Sequence, residues 1–219
     1  MKTPLLIVNF KTYKAASGEH ALDIAYKCER VAKSTDTNIA IAPQNADIGR
    51  IAEKVEIPVI AQHTDPEGYG SNTGSDIIET LAHNGADGTL INHSEDQVSL
   101  DTIEAVVKRC RKQDITSVVC VDEETLAESV KDFKPDFIAY EPPELIGGDV
   151  SVSQAKPEIL EGVVDTVGRA APVLTGAGVK TAEDVEKALE LGSEGILVAS
   201  GVIKADDVEQ ALRDLVEPF

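Results

Sequence analysis

The sequence predicts an α/β protein: a closed (β/α)8 barrel, formed as one domain over residues 1–219, with some shortened helices. Three observations predict this. Short apolar runs alternate with amphipathic patterns from one end of the chain to the other. There are eight such pairs. One βα unit is also echoed within the chain, in Leu81-Ala82-His83-Asn84-Gly85-Ala86-Asp87-Gly88 and again in Leu189-Glu190-Leu191-Gly192-Ser193-Glu194-Gly195.

The first run is 5–9. The opening Met1-Lys2-Thr3-Pro4-Leu5-Leu6-Ile7-Val8 looks like a short signal segment. Asn9 and Lys11 interrupt it and no small-residue cleavage site follows, so it reads as a strand. Ala21, Ile24, Ala25, Cys28, Val31 and Ala32 then fall at i, i+3, i+4, i+7 spacing, the period of a one-sided helix. The remaining strands are expected at 39–42, 58–62, 88–92, 116–121, 137–140, 172–175 and 195–198. Helices are expected at 48–55, 76–84, 101–112, 123–132, 156–169, 182–191 and 206–215. Gly85 and Gly192 sit just past two of these helices, where a left-handed cap is needed before the chain turns into a strand.

A doubly wound open sheet would carry a glycine-rich phosphate turn after its first strand. Here Asn9-Phe10-Lys11-Thr12-Tyr13-Lys14 follows instead. No Gly/Ser linker divides the chain. Its 219 residues are few beside the ~250 usual for a barrel, so some helices, 123–132 among them, must be brief. Trimmed helices leave apolar patches, which suggests self-association as a dimer or tetramer.

Composition narrows the function classes. Apolar residues make up 42% of the chain with no Trp, so the core must be Val, Ile, Leu and Ala, as in buried parallel strands. No apolar run reaches the ~18 residues of a membrane span. Three widely spaced cysteines, Cys28, Cys110 and Cys120, suggest neither a disulfide framework nor a zinc site, and point to a reducing, cytoplasmic setting. The formal charge of −19 argues against nucleic acid and anionic membranes as partners. Its acids cluster where helices should begin, as in Asp122-Glu123-Glu124, Glu183-Asp184 and Asp206-Asp207, where they suit the dipole. The same surface suits molar salt, which screens self-repulsion.

In a barrel the chemistry gathers at the C-terminal ends of the strands. Asn9 and Lys11 end the first, His93-Ser94-Glu95 the fourth, and Glu141 the sixth. Thr175-Gly176-Ala177-Gly178 and Ala199-Ser200-Gly201 end the last two, as small-residue turns able to offer N–H groups to a phosphate. Glu141 opens Glu141-Pro142-Pro143-Glu144-Leu145-Ile146-Gly147-Gly148, a stiffened segment that could close over it. No His/Asp/Glu cluster suggests a metal, and no serine elbow or reactive-cysteine motif is present. The inventory fits proton abstraction beside a carbonyl on a small phosphorylated substrate, without a cofactor. Glu141 would act as base, and His93 and Lys11 would stabilise the enediolate. His20, His63 and His83 read as structural or surface residues.

These residues carry a resemblance. Asn9-Phe10-Lys11, Ala61-Gln62, Asn72-Thr73-Gly74, His93-Ser94-Glu95, Tyr140-Glu141-Pro142, Ile146-Gly147 and the two small-residue turns, each at the end of the matching strand, make the chain resemble the triosephosphate isomerase family. It resembles the short archaeal form in length, and halophile proteins in acidity. The resemblance implies a TIM barrel that interconverts dihydroxyacetone phosphate and D-glyceraldehyde 3-phosphate, in glycolysis and gluconeogenesis. It implies Glu141 as base, His93 as electrophile, and Lys11 and Asn9 as substrate contacts. Ile146 and Leu197 would clamp the base, and Gly147, Gly178, Ala199 and Ser200 would hold the phosphate. Glu95 would hold Lys11, and His93-Ser94-Glu95 would open a helical turn. Asn72-Thr73-Gly74 would reach into a neighbouring subunit and steady Asn9 or Lys11.

The family is itself the standard example of a neutral histidine electrophile and of a closing lid. The chain departs from it in four places. Gly178 stands where many members have serine, and Thr175 where many have a lid-pinning tyrosine. Ala199-Ser200 replaces Gly-Gly, and Asp149 places a charge at the lid's far hinge. Another phosphate-binding barrel isomerase would share the last two turns but not need Asn9-Phe10-Lys11. A non-catalytic sugar-phosphate-binding barrel would not need His93 together with Glu141.

Overall fold

The computed structural model describes residues 1–145 and 151–219. The elements alternate as β1 (Leu5–Asn9), α1 (Glu19–Thr35), β2 (Asn38–Ala42), α2 (Ile48–Ala52), β3 (Ile60–Ala61), α3 (Ile78–His83), β4 (Gly88–Ile91) and α4 (Leu100–Gln113). They continue as β5 (Thr116–Val121), α5 (Glu124–Lys131), β6 (Phe137–Tyr140), α6 (Val152–Ala155), α7 (Pro157–Val167), β7 (Val173–Thr175), α8 (Ala182–Glu190), β8 (Gly195–Val198), α9 (Ser200–Ile203) and α10 (Val208–Val216). All strand pairs are parallel, in the order β2-β1-β8-β7-β6-β5-β4-β3. The ring closes through a bridge between Ile41 and Val59, where Ile41 N–H donates to Pro58 O at 2.9 Å. Pro58 has no N–H to give, which trims the third strand from the expected 58–62 to two paired residues. The fold is an eight-stranded (β/α)8 barrel.

The expected helices are present, but the shortest are α2 and α3, at five and six residues. α2 begins at Ile48 as expected and stops three residues early at Ala52, whereas α3 begins two residues late, at Ile78, and ends one residue early. α5 is brief, as expected, at eight residues. Two one-turn helices, α6 and α9, carry too few residues to show a period and were not legible. The echoed unit recurs in three dimensions. Gly85 and Gly192 have φ of 91° and 90°. Ala86 N–H donates to Leu81 O and Ser193 N–H to Ala188 O, both at 3.0 Å. Asp36 and Asp114 end α1 and α4 in the same left-handed conformation without glycine.

Two shells of core follow from period-2 alternation. Inside the barrel pack Leu5 and Ile7 of β1, Ala40 and Ala42 of β2, Ile60, Leu90, Val118 and Cys120 of β5, Phe137 and Ala139 of β6, Leu174 and Leu197. Outside, residues of opposite parity such as Leu6, Val8, Ile39, Ile41, Val119 and Ile138 meet the helices. The inward parity of β1 continues to Asn9, and that of β6 continues to Glu141. The alternation that fills the core thus aims these two side chains into the barrel mouth.

Helix starts use the acids as expected. Asp207 caps α10 by accepting from Glu209 N and Gln210 N, both at 3.1 Å. Asp184 differs from the expected surface acid. It is buried at 5% exposure, as the N3 residue of a capping box with Thr181. All three cysteines are buried free thiols.

Candidate active site

Asn9, Lys11, His93, Glu141, Gly178, Leu197, Ala199 and Ser200 line one pocket of about 150 Å³ at the C-terminal end of the barrel. Ile146, Gly147 and Asp149 lie outside the described residues.

Glu141 is fixed by its backbone before its chemistry begins. Its N–H donates to Val121 O at 2.8 Å, and the next strand's Gly176 N–H reaches Tyr140 O at 2.9 Å. The side chain then lies over Gly176, where a Cβ would sit 2.3 Å from Glu141 Cγ. Only glycine leaves room for the carboxylate there. Glu141 is 4% exposed, and among the described residues its buried Oε2 has no hydrogen-bond partner. Burial pushes its carboxyl up to about 7. A hydrogen bond from the Cys120 thiol and the Lys11 charge pull the other way, and the charge of Glu95 adds to the rise. The carboxyl is therefore poised near neutrality, where a general base both ionises and retains basicity.

His93 faces it, with Nε2 3.7 Å from Glu141 Oε2. Strict alternation would send His93 outward. Asn92 adopts φ 62° and ends the strand, turning the next residue into the mouth. Asn92 is held there by donating to Cys120 O and accepting from Val98 N–H, both at 2.9 Å. Glu95 N–H donates to His93 Nδ1 at 3.1 Å, so in the neutral ring the proton sits on Nε2, facing the pocket. Burial first, then the Lys11 charge, lower the imidazole's proton affinity, opposed by Glu95 and Asp96. The ring is neutral at pH 7. The expected helical turn is absent. His93-Ser94-Glu95 forms a hydrogen-bonded turn closed by Asp96 N–H on His93 O at 2.7 Å, and α4 starts only at Leu100. The lowered affinity therefore has burial and a cation behind it, with no helix terminus at His93.

Lys11 reaches the same pocket. Its backbone is left-handed, with φ 46°. Asn9 Oδ1 stabilises that turn by accepting from Lys11 N–H at 2.9 Å. Gln62 Nε2 donates to Lys11 O at 3.0 Å and to Ala42 O at 2.9 Å. The ammonium pairs with Glu95 Oε1 at 2.8 Å.

The opposite wall is the pair of small-residue turns. Gly178 has φ 72°, a conformation that penalises any side chain, so the family's usual serine has no relaxed place at this backbone. Thr175 is fully buried and its hydroxyl donates to Ser193 Oγ at 3.0 Å, on the far side from the mouth. Asp184 ties the seventh-strand turn to α6. Its carboxylate accepts from Lys180 N and Thr181 N at 3.0 Å and from Gln154 Nε2 at 2.7 Å. Burial raises its proton affinity, but hydrogen bonds from Ser151, Lys180 and Thr181 outweigh that and hold it below the usual carboxylate value.

Gln62, Asn92, Gly176 and Asp184 are the supporting residues that reading of the sequence did not single out for these roles. Gly176 was visible as part of a small-residue turn. Gln62 was visible in Ala61-Gln62 and Asp184 as part of an acidic helix start, while Asn92 had no signal beyond residue type. Among the described residues no group of acids, histidines and cysteines is arranged to hold a metal ion. No helix among the described residues is long and apolar enough to cross a membrane.

The family model for triosephosphate isomerase matches residues 4–216. The chain is 47% identical over 219 residues to the triosephosphate isomerase of Methanothermus fervidus, covering 99% of both chains. It is 44% identical over 216 residues to that of Methanocaldococcus jannaschii, covering 97% of this chain and 99% of the other. Among solved structures, the triosephosphate isomerase of Bartonella henselae superposes with a TM-score of 0.75 over 96% of this chain and 98% of its own, at 18% identity, a likeness of fold. The chain belongs to the triosephosphate isomerase family.

Proposed function

We propose that this chain interconverts dihydroxyacetone phosphate and D-glyceraldehyde 3-phosphate with Glu141 as the base and His93 and Lys11 as the electrophiles. The observation that carries the assignment is the buried Oε2 of Glu141, without a hydrogen-bond partner among the described residues and 3.7 Å from a pocket-facing Nε2–H of His93. Glu141 removes the proton from the carbon beside the carbonyl. Nε2–H of His93 and the Lys11 ammonium stabilise the negative oxygen of the enediolate. His93 Nε2 gives its proton to the former carbonyl oxygen and takes up the proton of the neighbouring hydroxyl, and Glu141 returns the carbon-bound proton to the former carbonyl carbon. No redox cofactor is required, since a proton and an electron pair move within one molecule.

The phosphate is assigned to the wall formed by Gly178, Ala199 and Ser200, with Asn9 and Lys11 on the substrate's other side. The backbone of Gly147 and the side chain of Ile146 are assigned to the lid. In this reading substrate binding rests on main-chain donors where other members add a serine hydroxyl.

A coupled dehydrogenase assay for dihydroxyacetone phosphate formation tests the assignment. Glu141→Asp is expected to lower turnover by ~10²–10⁴-fold with a modest change in KM. His93→Ala and Lys11→Ala are expected to cripple the reaction. Wild-type turnover in the Glu141 variant would leave the mechanism without a base.

Self-association is proposed from the exposed Tyr69, within the loop carrying Asn72-Thr73-Gly74, and the exposed Leu100 at the start of α4. A monomer by light scattering would remove it. A cytoplasmic setting is proposed from the three free thiols. Adaptation to molar salt is proposed from the charge of −19, and equal circular dichroism stability from millimolar to molar salt would contradict it.

A further inference from the structure

We propose that His63 is a positioning residue for Lys11, a strut between the loop after β3 and the turn after β4. The inference rests on Lys11 being a substrate contact.

Lys11 is held from two directions. Gln62 fixes its carbonyl, and Glu95 fixes its ammonium. Glu95 is itself 60% exposed and sits on a short turn, so its position depends on what holds that turn. The inner side of the turn is His93. The outer side is Asp96, whose Oδ2 lies 2.9 Å from His63 Nδ1. The other ring nitrogen, Nε2, lies 3.2 Å from Asp65 Oδ1.

Asp65 is firmly set. Its N–H donates to Asp76 O and its Oδ2 accepts from Asp76 N–H, both at 2.8 Å, and it forms a bridge with Ile77. Asn45 Nδ2 donates to His63 O at 2.9 Å, fixing the histidine's own backbone. Each ring nitrogen of His63 thus faces a carboxylate oxygen, one on the loop after β3 and one on the turn after β4.

The titratable groups around this ring are Asp65 and Asp96, which touch it, and Lys11, Glu95 and His93, which line the same small cavity beside the active-site pocket. Both carboxylate partners are at least partly solvated, so the pairs contribute little to global stability. Their effect is geometric. A displaced ammonium weakens its contact with the substrate and with the enediolate alike, which raises KM and leaves kcat nearly unchanged.

The test is a steady-state comparison of His63→Ala, Asp96→Asn, and each of these combined with Glu95→Gln. The single variants are expected to raise KM for glyceraldehyde 3-phosphate about five- to tenfold, with kcat within about twofold of wild type. Glu95→Gln already releases the ammonium. In that background either change is expected to add less than about twofold, because the residues act in series on one group. An unchanged KM in the single variants would overturn the proposal. So would a KM effect that persists in full in the Glu95→Gln background, which marks a general structural role. Asp96→Asn alters an exposed carboxylate, and so keeps the question decidable if His63→Ala fails to fold by circular dichroism. If Lys11→Ala retains wild-type turnover, the Lys11 assignment fails. If Lys11→Ala is crippled while both strut variants are silent, the strut alone fails.

Discussion

Glu141→Gln is expected to make the protein more stable at pH 8 than wild type by a margin that nearly vanishes in acid. Burial raises the folded carboxyl from 4.5 to about 7. Below pH 4.5 both folded and unfolded chains hold the proton, and the group carries no ionisation cost. Between pH 4.5 and 7 the unfolded chain releases its proton while the folded chain keeps it, so wild-type stability falls as pH rises. Above pH 7 both are ionised and the loss levels off at about 3 kcal/mol, from 1.36 kcal/mol per unit. Glutamine cannot ionise, so the variant escapes this loss. From pH 5 to pH 8 its advantage over wild type should grow by about 2.5 kcal/mol. Urea unfolding of both proteins at pH 5, 6, 7 and 8 reads the difference, with every other titrating group shared. Turnover should fall by at least ~10²-fold in the same variant, since the amide accepts no proton. A difference in stability that is flat across this pH range would refute the claim that burial desolvates the base.

Other perturbations test the parts that hold the site. Gly176→Ala should place a Cβ 2.3 Å from Glu141 Cγ and displace the base, lowering kcat by ~10²-fold with the fold retained by circular dichroism. Gly178→Ser should destabilise by about 1–2 kcal/mol, because φ 72° is costly for a side chain; unchanged urea unfolding would show that the turn relaxes. Asp184→Asn should cost about 1–3 kcal/mol at pH 7 through its hydrogen bonds to Lys180, Thr181 and Gln154. Its folded carboxyl is held below 3.8, so that stabilisation is present above 3.8 and is lost as pH falls through the folded value. The difference from wild type in unfolding free energy should be largest at pH 7 and shrink as pH falls below 3.8.

The alternation of apolar runs determined the barrel, and its parity determined more than element type. Leu5, Ile7 and Asn9 share one face of a strand, as do Phe137, Ala139 and Glu141, so a reader of the sequence could place these polar groups at the barrel mouth. Such features are local: each residue's side of a strand follows from its neighbours two positions away. Tertiary structure decided what depends on distant neighbours. His93 faces Glu141 because Asn92 breaks the alternation, and that conformation is held by Cys120 O from the next strand. Glu141 is buried by Gly176, thirty-five positions later, and its raised proton affinity follows from that burial. Asp184 looked like one more surface acid, yet it is enclosed between two segments that sequence distance keeps apart. His63 shows no periodic signal, and its two carboxylate partners meet it only when the loops after β3 and β4 come together. Desolvation and charge pairing depend on which groups share a volume, and only the closed barrel sets that.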